Sequence, residues 1–168
     1  MTVALGALSF AALDTAFAED APQIDAGVRL GVGVGVWPDQ DVMPQASLFA
    51  DLRMRQGRGF LTVAPGLMLS GPAGDLDYGG LALELGGGWR LSDRPVAPYV
   101  GGGVSGRLLL SDESVIGFAP YGLFGLEGKL GAATAFGELR VYQNVLPVAA
   151  RQRDTYPVEP GLAFGVRF

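Results

Sequence analysis

The chain of 168 residues contains no cysteine and no histidine. Without cysteine there is no thiolate chemistry, and without either residue there is no Cys/His metal site. Missing histidine also removes the commonest general base, so a serine such as Ser47 or Ser105 has no imidazole to activate it. We therefore expect no enzyme activity, no cofactor and no metal centre.

Charged residues are scarce, at 17% of the chain, whereas apolar residues make up 49%. The formal net charge of −5 argues against a nucleic-acid partner, because such a partner needs a basic surface. Beyond the N-terminus there is no uncharged apolar run of the about 18 residues that a spanning helix requires. This composition favours a membrane β-barrel or a very apolar soluble β-protein.

Residues 1–18 are similar to a secretory signal, with small residues at Ala16 and Ala18 where a signal peptidase would cut. The segment has no basic n-region, which a misassigned start would explain, and Asp14 interrupts its apolar run. The alternative is a short apolar helix that belongs to the fold. We expect an exported protein with a single domain over residues 19–168.

From residue 24 onward, apolar residues recur at every second position, which is the period of a β-strand with one apolar face. Turn residues divide the pattern into eight segments. They are Ile24–Trp37, Gln45–Arg55, Phe60–Ser70, Tyr78–Leu91, Val96–Leu110, Ile116–Glu127, Ala132–Tyr142 and Gly161–Phe168.

Charges within these segments keep to the face opposite the apolar one, as Asp51, Arg53 and Arg55 illustrate in the second segment. At about 3.3 Å per residue and a tilt near 40°, about ten residues cross roughly 25 Å, the height of an outer-membrane apolar band. An even number of strands is also typical of bacterial barrels. The sequence predicts an all-β fold, an eight-stranded antiparallel up-and-down transmembrane β-barrel.

The connections are expected to alternate in length. Tight turns are predicted at Gln56–Gly59, Ser92–Pro95 and Gly128–Gly131, and longer loops at Pro38–Met43, Gly71–Asp77, Ser111–Ser114 and Asn144–Pro157. Prolines within strands remove hydrogen-bond donors from the ladder. We therefore expect bulges, or strand ends displaced by a few residues, near Pro65, Pro98 and Pro120.

Alternation alone does not show which face of a barrel is wet. A soluble lipocalin-like carrier would turn its leucines inward and leave an outer face rich in glycine, which is a poor strand former. Inside a narrow eight-stranded barrel, small residues are expected because the lumen has little room. We therefore assign a polar network to the lumen: Arg29, Asp51, Arg53, Glu84, Arg107, Glu127, Glu138, Arg140 and Arg167.

Two interpretations of this lumen remain open. Arginine suits bidentate pairing with carboxylates away from bulk water, which favours a structural ion-pair network. Abundant inward glycine could instead leave space for a pathway for water or small ions. The acidic residues of the long loops could bind divalent cations, although a solvated loop surface is the commoner arrangement.

The final segment places Leu162, Phe164, Val166 and Phe168 on its apolar face, a candidate assembly signal. Aromatic residues near predicted strand ends are candidates for interfacial girdles. They are Trp37, Trp89, Phe60, Phe118 and Phe168.

Over residues 24–168 the strand count, the alternation and the terminal Leu162–Phe168 segment resemble the small outer-membrane barrels of the OmpA-transmembrane and OmpX-like group. The resemblance implies residence among outer-membrane lipids of a Gram-negative bacterium and insertion by the outer-membrane assembly machinery. It also implies a structural, envelope or surface-adhesion role. A small ion- or solute-permeable channel is the alternative, and a soluble lipocalin-like carrier is the second. No external ligand is indicated by the sequence.

Overall fold

The computed structural model describes residues 21–35, 43–70, 78–110, 115–145 and 158–168. Within them lie eight strands: β1 Gln23–Gly35, β2 Met43–Gln56, β3 Gly59–Ser70, β4 Tyr78–Arg90, β5 Val96–Leu110, β6 Val115–Leu130, β7 Ala133–Gln143 and β8 Val158–Arg167. None of the described residues forms a helix long and apolar enough to span a membrane.

The strands form a closed barrel in which every strand pairs antiparallel with its neighbours in the chain. The barrel closes between β1 and β8, where Leu30 lies opposite Phe164. Beyond the end of β8, the Phe168 N–H donates to the Ala26 carbonyl at 2.8 Å. The predicted eight-stranded antiparallel barrel is confirmed.

Three short connections, 57–58, 91–95 and 131–132, lie at one rim, which we call the turn end. The opposite rim is the loop end. Gly57 and Gly131 have φ values of 57° and 64°, a backbone conformation that favours glycine over other residues. The first turn agrees with the prediction. The predicted turn at Gly128–Gly131 is wrong in position, because β6 continues through Gly128, which pairs with Ala135, and reverses only after Leu130.

The expectation of bulges or displaced strand ends at the three prolines is wrong. Strands β3, β5 and β6 run through Pro65, Pro98 and Pro120, and the register is constant on both sides of each proline. On one side of each proline the pairing is affected. The β2–β3 pairing skips Pro65 and Ala64 and resumes unchanged at Val63 opposite Leu52, whereas the β4–β5 and β6–β7 pairings end beside Pro98 and Pro120. On the other side of each proline the pairing continues unbroken.

The two faces of the barrel differ sharply in polarity. Large apolar side chains are exposed on the outside, including Leu30 at 60% and Phe164 at 57%, whereas charged side chains are buried inside. Such an exterior is stable only in an apolar surrounding, and a closed barrel is one of the two structures that satisfy their backbone there. The soluble lipocalin-like alternative, which needs the opposite polarity, is therefore wrong.

The aromatic residues assigned to girdles do not all face outward. Trp89, Phe118 and Phe168 are exposed on the outer surface, but Phe60 is only 6% exposed. Phe60 shares the parity of Thr62, which faces the lumen, so its assignment to a girdle is wrong. Trp37, the predicted signal 1–18 and the acidic loop residues lie outside the described residues.

Candidate functional site in the barrel lumen

All nine side chains assigned to the lumen network are buried inside the barrel, the most exposed being Arg107 at 6%. They come from seven strands, and β3 contributes none of them. Because the wall is closed, these groups have no bulk water to solvate them and must be compensated by one another. Eight of them form one network of ion pairs with centres at Glu127, Glu138 and Glu84, and Arg107 belongs to a smaller group towards the loop end.

Nearest the turn end, four arginines converge on the carboxylate of Glu127. The nearest atoms lie 2.8 Å away for Arg90, 3.0 Å for Arg53, 3.5 Å for Arg167 and 3.8 Å for Arg55. These arginines belong to three strands, β2, β4 and β8, and β6 carries Glu127. A single carboxylate therefore ties together strands from around the barrel.

At mid-height, Glu138 connects this group to the next. Its carboxylate accepts hydrogen bonds from Tyr99 Oη at 2.6 Å and Arg140 Nε at 2.7 Å, and lies 3.5 Å from Arg53. Asp51 is bound by Arg167 at 3.2 Å and lies 4.0 Å from Arg29. Each carboxylate thus meets at least two guanidinium groups.

Glu84 forms the third centre of the network. It accepts from Arg29, from Arg140 Nη1 at 2.6 Å and from Tyr142 Oη at 2.8 Å. These donors lie on β1 and β7, on the far side of the barrel from β4 in strand order. The interaction therefore crosses the lumen instead of following one wall.

Towards the loop end, Arg107 forms a smaller group. It donates to Glu159 and weakly to Ser105 Oγ at 3.4 Å, and Asn144 Nδ2 donates to Glu159 at 2.7 Å. Between this group and Glu84 lies a cavity of about 40 Å³. More of its lining is apolar than polar, but Ser47, Ser105 and Arg107 also line it, and it has room for a few water molecules.

Aromatic rings fill the space beside the guanidinium groups. Besides Tyr142, which Arg107 approaches at 4.8 Å, each of five lumenal rings has an arginine carbon within 5.0 Å of its centroid, a cation–π geometry that stabilises a desolvated cation. The closest pairs are Arg167 with Phe136 at 3.5 Å and Arg53 with Phe60 at 3.9 Å. The five rings are Phe49, Phe60, Tyr99, Tyr121 and Phe136.

A glycine of the wall lies behind each of these rings. An added Cβ at Gly125 would lie 2.7 Å from Tyr99 Oη, and one at Gly66 would lie 2.7 Å from Phe49 Cγ. In four of the five cases the glycine is directly opposite the aromatic residue in the strand register. We call Gly66, Gly86, Gly88, Gly125 and Gly165 the ring-facing glycines.

Several members of the network were not among the predicted lumen residues. Asp25, Arg55 and Arg90 follow the polar parity of their strands, so the alternation alone contained the signal for them. Glu159 was missed because the sequence places it beside the longest predicted loop, whereas β8 begins at Val158. Tyr99 and Tyr142 also follow the polar parity, but their carboxylate partners depend on strand register.

No group of three or more acidic, histidine or cysteine side chains suited to a metal ion occurs in the described ranges. The carboxylates of the lumen are each occupied by arginine instead. The arrangement can bear buried charge and crosslink strands; its chemistry is electrostatic.

No protein-family model and no curated protein matches the sequence. Among solved structures, Neisserial surface protein A (NspA) is similar over 88% of this chain and 98% of its own, with a TM-score of 0.69 and 13% sequence identity. The outer membrane enzyme PagL is similar over 82% of this chain and 97% of its own, with a TM-score of 0.52 and 15% identity. The fold is that of the small eight-stranded outer-membrane β-barrels.

This outer-membrane barrel fold agrees with the apolar exterior and with the expected localisation. At such low identity the likeness concerns the backbone alone. In the interior of this outer-membrane barrel, arginines, carboxylates, aromatic rings and glycines occupy specific register positions.

Proposed function

We propose that the chain is an integral outer-membrane barrel with a structural role in the envelope or in surface adhesion, and that its lumen is closed by the arginine–carboxylate network. The observation that carries this proposal is the crossing of the lumen at two heights, at Glu84 and at Glu127. Both carboxylates bind arginines from other strands, so the network both fills and braces the barrel.

A permeating ion would have to separate these partners. Breaking a buried pair by removing one partner typically costs about 3–5 kcal/mol, because the remaining charge is left desolvated. The rings beside the guanidinium groups also occupy the volume through which an arginine would have to swing. We therefore infer that the resting barrel does not conduct.

Recording in planar bilayers tests this proposal. The refolded protein is expected to give no discrete openings, and the matched variant Arg58→Gln, which loses an exposed charge, is expected to behave identically. Discrete openings that change in conductance when Arg107 or Glu127 is neutralised would contradict the closed-lumen proposal. On a gel, a band that migrates differently in unheated and heated samples confirms that each preparation is folded.

A small channel remains the second candidate, and the cavity of about 40 Å³, whose lining includes Glu84, Arg107 and Glu159, is the observation that favours it. The cavity lies on the loop side of Glu84, so it would form a vestibule that ends at the Arg29–Glu84–Arg140 group. Openings from the unmodified protein would favour this candidate over the first.

The outer surface supports two partners for the proposed protein. Leu162, Phe164 and Phe168 expose their side chains outward, as expected for contact with outer-membrane lipid. We propose that they and Val166 form the segment recognised by the assembly machinery. We propose no catalytic role: PagL is named as an enzyme, but this sequence has no histidine to serve as a base.

A further inference from the structure

The turn-end mouth of the lumen has a different character from the interior. Its side chains Arg55 and Arg90 are 17% and 22% exposed, whereas the other arginines of the network are 6% exposed or less. Both approach the same oxygen, Glu127 Oε1, at 3.8 Å and 2.8 Å. Two guanidinium groups therefore lie side by side where the lumen opens.

The described part of the lumen holds seven arginines but six carboxylates, which are Asp25, Asp51, Glu84, Glu127, Glu138 and Glu159. Of the four around Glu127, Arg55 also binds Asp25 at 2.7 Å, Arg167 binds Asp51 and Arg53 approaches Glu138. Arg90 has no second carboxylate within the described parts of the chain. The other three arginines around Glu127 thus each reach one of Asp25, Asp51 and Glu138, and Arg90 is the one for which no other carboxylate is left.

Hydrogen-bond donors at the mouth remain unused. Arg90 approaches Glu127 most closely through Nε, and no hydrogen bond in the described residues uses its two terminal nitrogens. Arg55 Nε is buried without a hydrogen-bond partner. Lys129 follows Glu127 by two residues on the same face of β6, is exposed, and has no ion pair among the described residues.

No further carboxylate side chain of the described turn end forms an ion pair with these donors. Asp93 is bound by Arg58, with Nε at 3.2 Å from Oδ1, and Asp25 is bound by Arg55. A surplus of positive charge at a partly desolvated site is stabilised by an external anion. Guanidinium groups match the oxygens of phosphate in particular, since their planar fork donates two parallel hydrogen bonds.

We propose that the turn-end mouth, formed by Arg55, Arg90 and Lys129, is a binding site for a phosphate group. The group belongs either to a soluble phosphate compound or to a phospholipid headgroup. Phosphate is favoured over a carboxylate because Arg55 and Arg90 approach one oxygen at this rim, where β6 also carries the exposed Lys129, and a phosphate carries more charge and more acceptor oxygens. The site does not depend on whether the lumen conducts.

Isothermal titration of the refolded protein in detergent with inorganic phosphate, at constant ionic strength, tests the proposal. Saturable binding is expected, and Arg90→Gln should weaken it about tenfold or more, since a charge-assisted hydrogen bond contributes about 1.5–3 kcal/mol. Lys129→Gln should weaken it as well, and this exposed residue can be replaced without disturbing the fold. Arg58→Gln, which removes one positive charge from the same rim, should leave binding unchanged.

Three results would overturn the site: no saturable binding, equal binding of chloride at matched ionic strength, or equal affinity in Lys129→Gln and the unmodified protein. The source of the group is distinguished by repeating the titration in bilayer nanodiscs. If phosphate binding is weakened in nanodiscs that contain phosphatidic acid but not in nanodiscs of phosphatidylcholine, the site binds an anionic headgroup. Undiminished binding in both bilayers assigns it to a soluble phosphate compound.

Discussion

Replacement of Gly125 by alanine tests whether the inward glycines exist to receive aromatic rings. The new Cβ would lie 2.7 Å from Oη and 2.8 Å from Cε1 of Tyr99, well inside van der Waals contact. Tyr99 cannot easily move, because it is fully buried, stacks edge-on with Phe60 at 5.6 Å and donates to Glu138 at 2.6 Å. Overpacking costs about 1–3 kcal/mol, and loss of the hydrogen bond to a charged group costs about 1.5–3 kcal/mol.

We therefore expect Gly125→Ala to lower the free energy of unfolding by about 2–4 kcal/mol. Gly122→Ala is the matched control, because Gly122 lies on the same strand, faces outward and has no atom within 4 Å of a new Cβ. It should raise stability by about 0.5–1 kcal/mol, the cost of glycine in a strand relative to alanine. Denaturant titrations of protein folded in lipid vesicles, followed by tryptophan fluorescence, measure both values.

A double-mutant cycle with Tyr99→Ala isolates the contact between the ring and the glycine. Once the ring is removed, Gly125→Ala should cost nothing, so the coupling should equal most of the original loss. The reasoning is refuted if Gly125→Ala destabilises equally in both backgrounds, or if Gly122→Ala and Gly125→Ala change stability in the same direction.

Three further predictions follow from the network, the exterior and the last strand. Glu84→Gln should lower the free energy of unfolding by about 3 kcal/mol, because it weakens the binding of Arg29 and Arg140. Arg58→Gln removes only the exposed pair with Asp93 and should lower it by less than about 1 kcal/mol. Denaturant titration of both variants measures this difference. Leu83→Arg, at a central outward position, should lower the free energy of unfolding by about 2–4 kcal/mol, and Leu91→Arg, near the turn-end rim, by about 0–1 kcal/mol. Folding into lipid vesicles measures both values. Equal losses would contradict the placement of Leu83 in the middle of the membrane and of Leu91 near its edge. Phe168→Ala should reduce the fraction of the protein that reaches the folded, heat-modifiable form in cells, while the yield of refolding in detergent stays almost unchanged. An equal loss of folded protein in both settings would contradict an assembly signal.

The alternation of the sequence was sufficient for the architecture because one rule governs every strand. Apolar residues must face lipid and charged residues must avoid it, so parity alone separates Leu83 from Glu84. Parity carries no information on which strands face each other at a given height. The pairing of Glu84 with Arg140, 56 residues apart, depends on tilt and on the closure of the barrel. For the same reason the role of Glu127 as a centre for four arginines could not be derived from its position.

The inward glycines show most clearly what register adds to composition. From the sequence they indicate either a narrow barrel or empty space beside the charges. In the structure, the glycines opposite Phe49, Phe60, Tyr99 and Phe136 lie against those rings, and each ring in turn supports an arginine. At these positions the volume that glycine leaves at the wall is therefore occupied by an aromatic side chain, because a smaller wall residue permits a larger group towards the axis. Gly31, Gly33 and Gly161 line the cavity instead, so the glycines support a filled lumen only at the ring-facing positions.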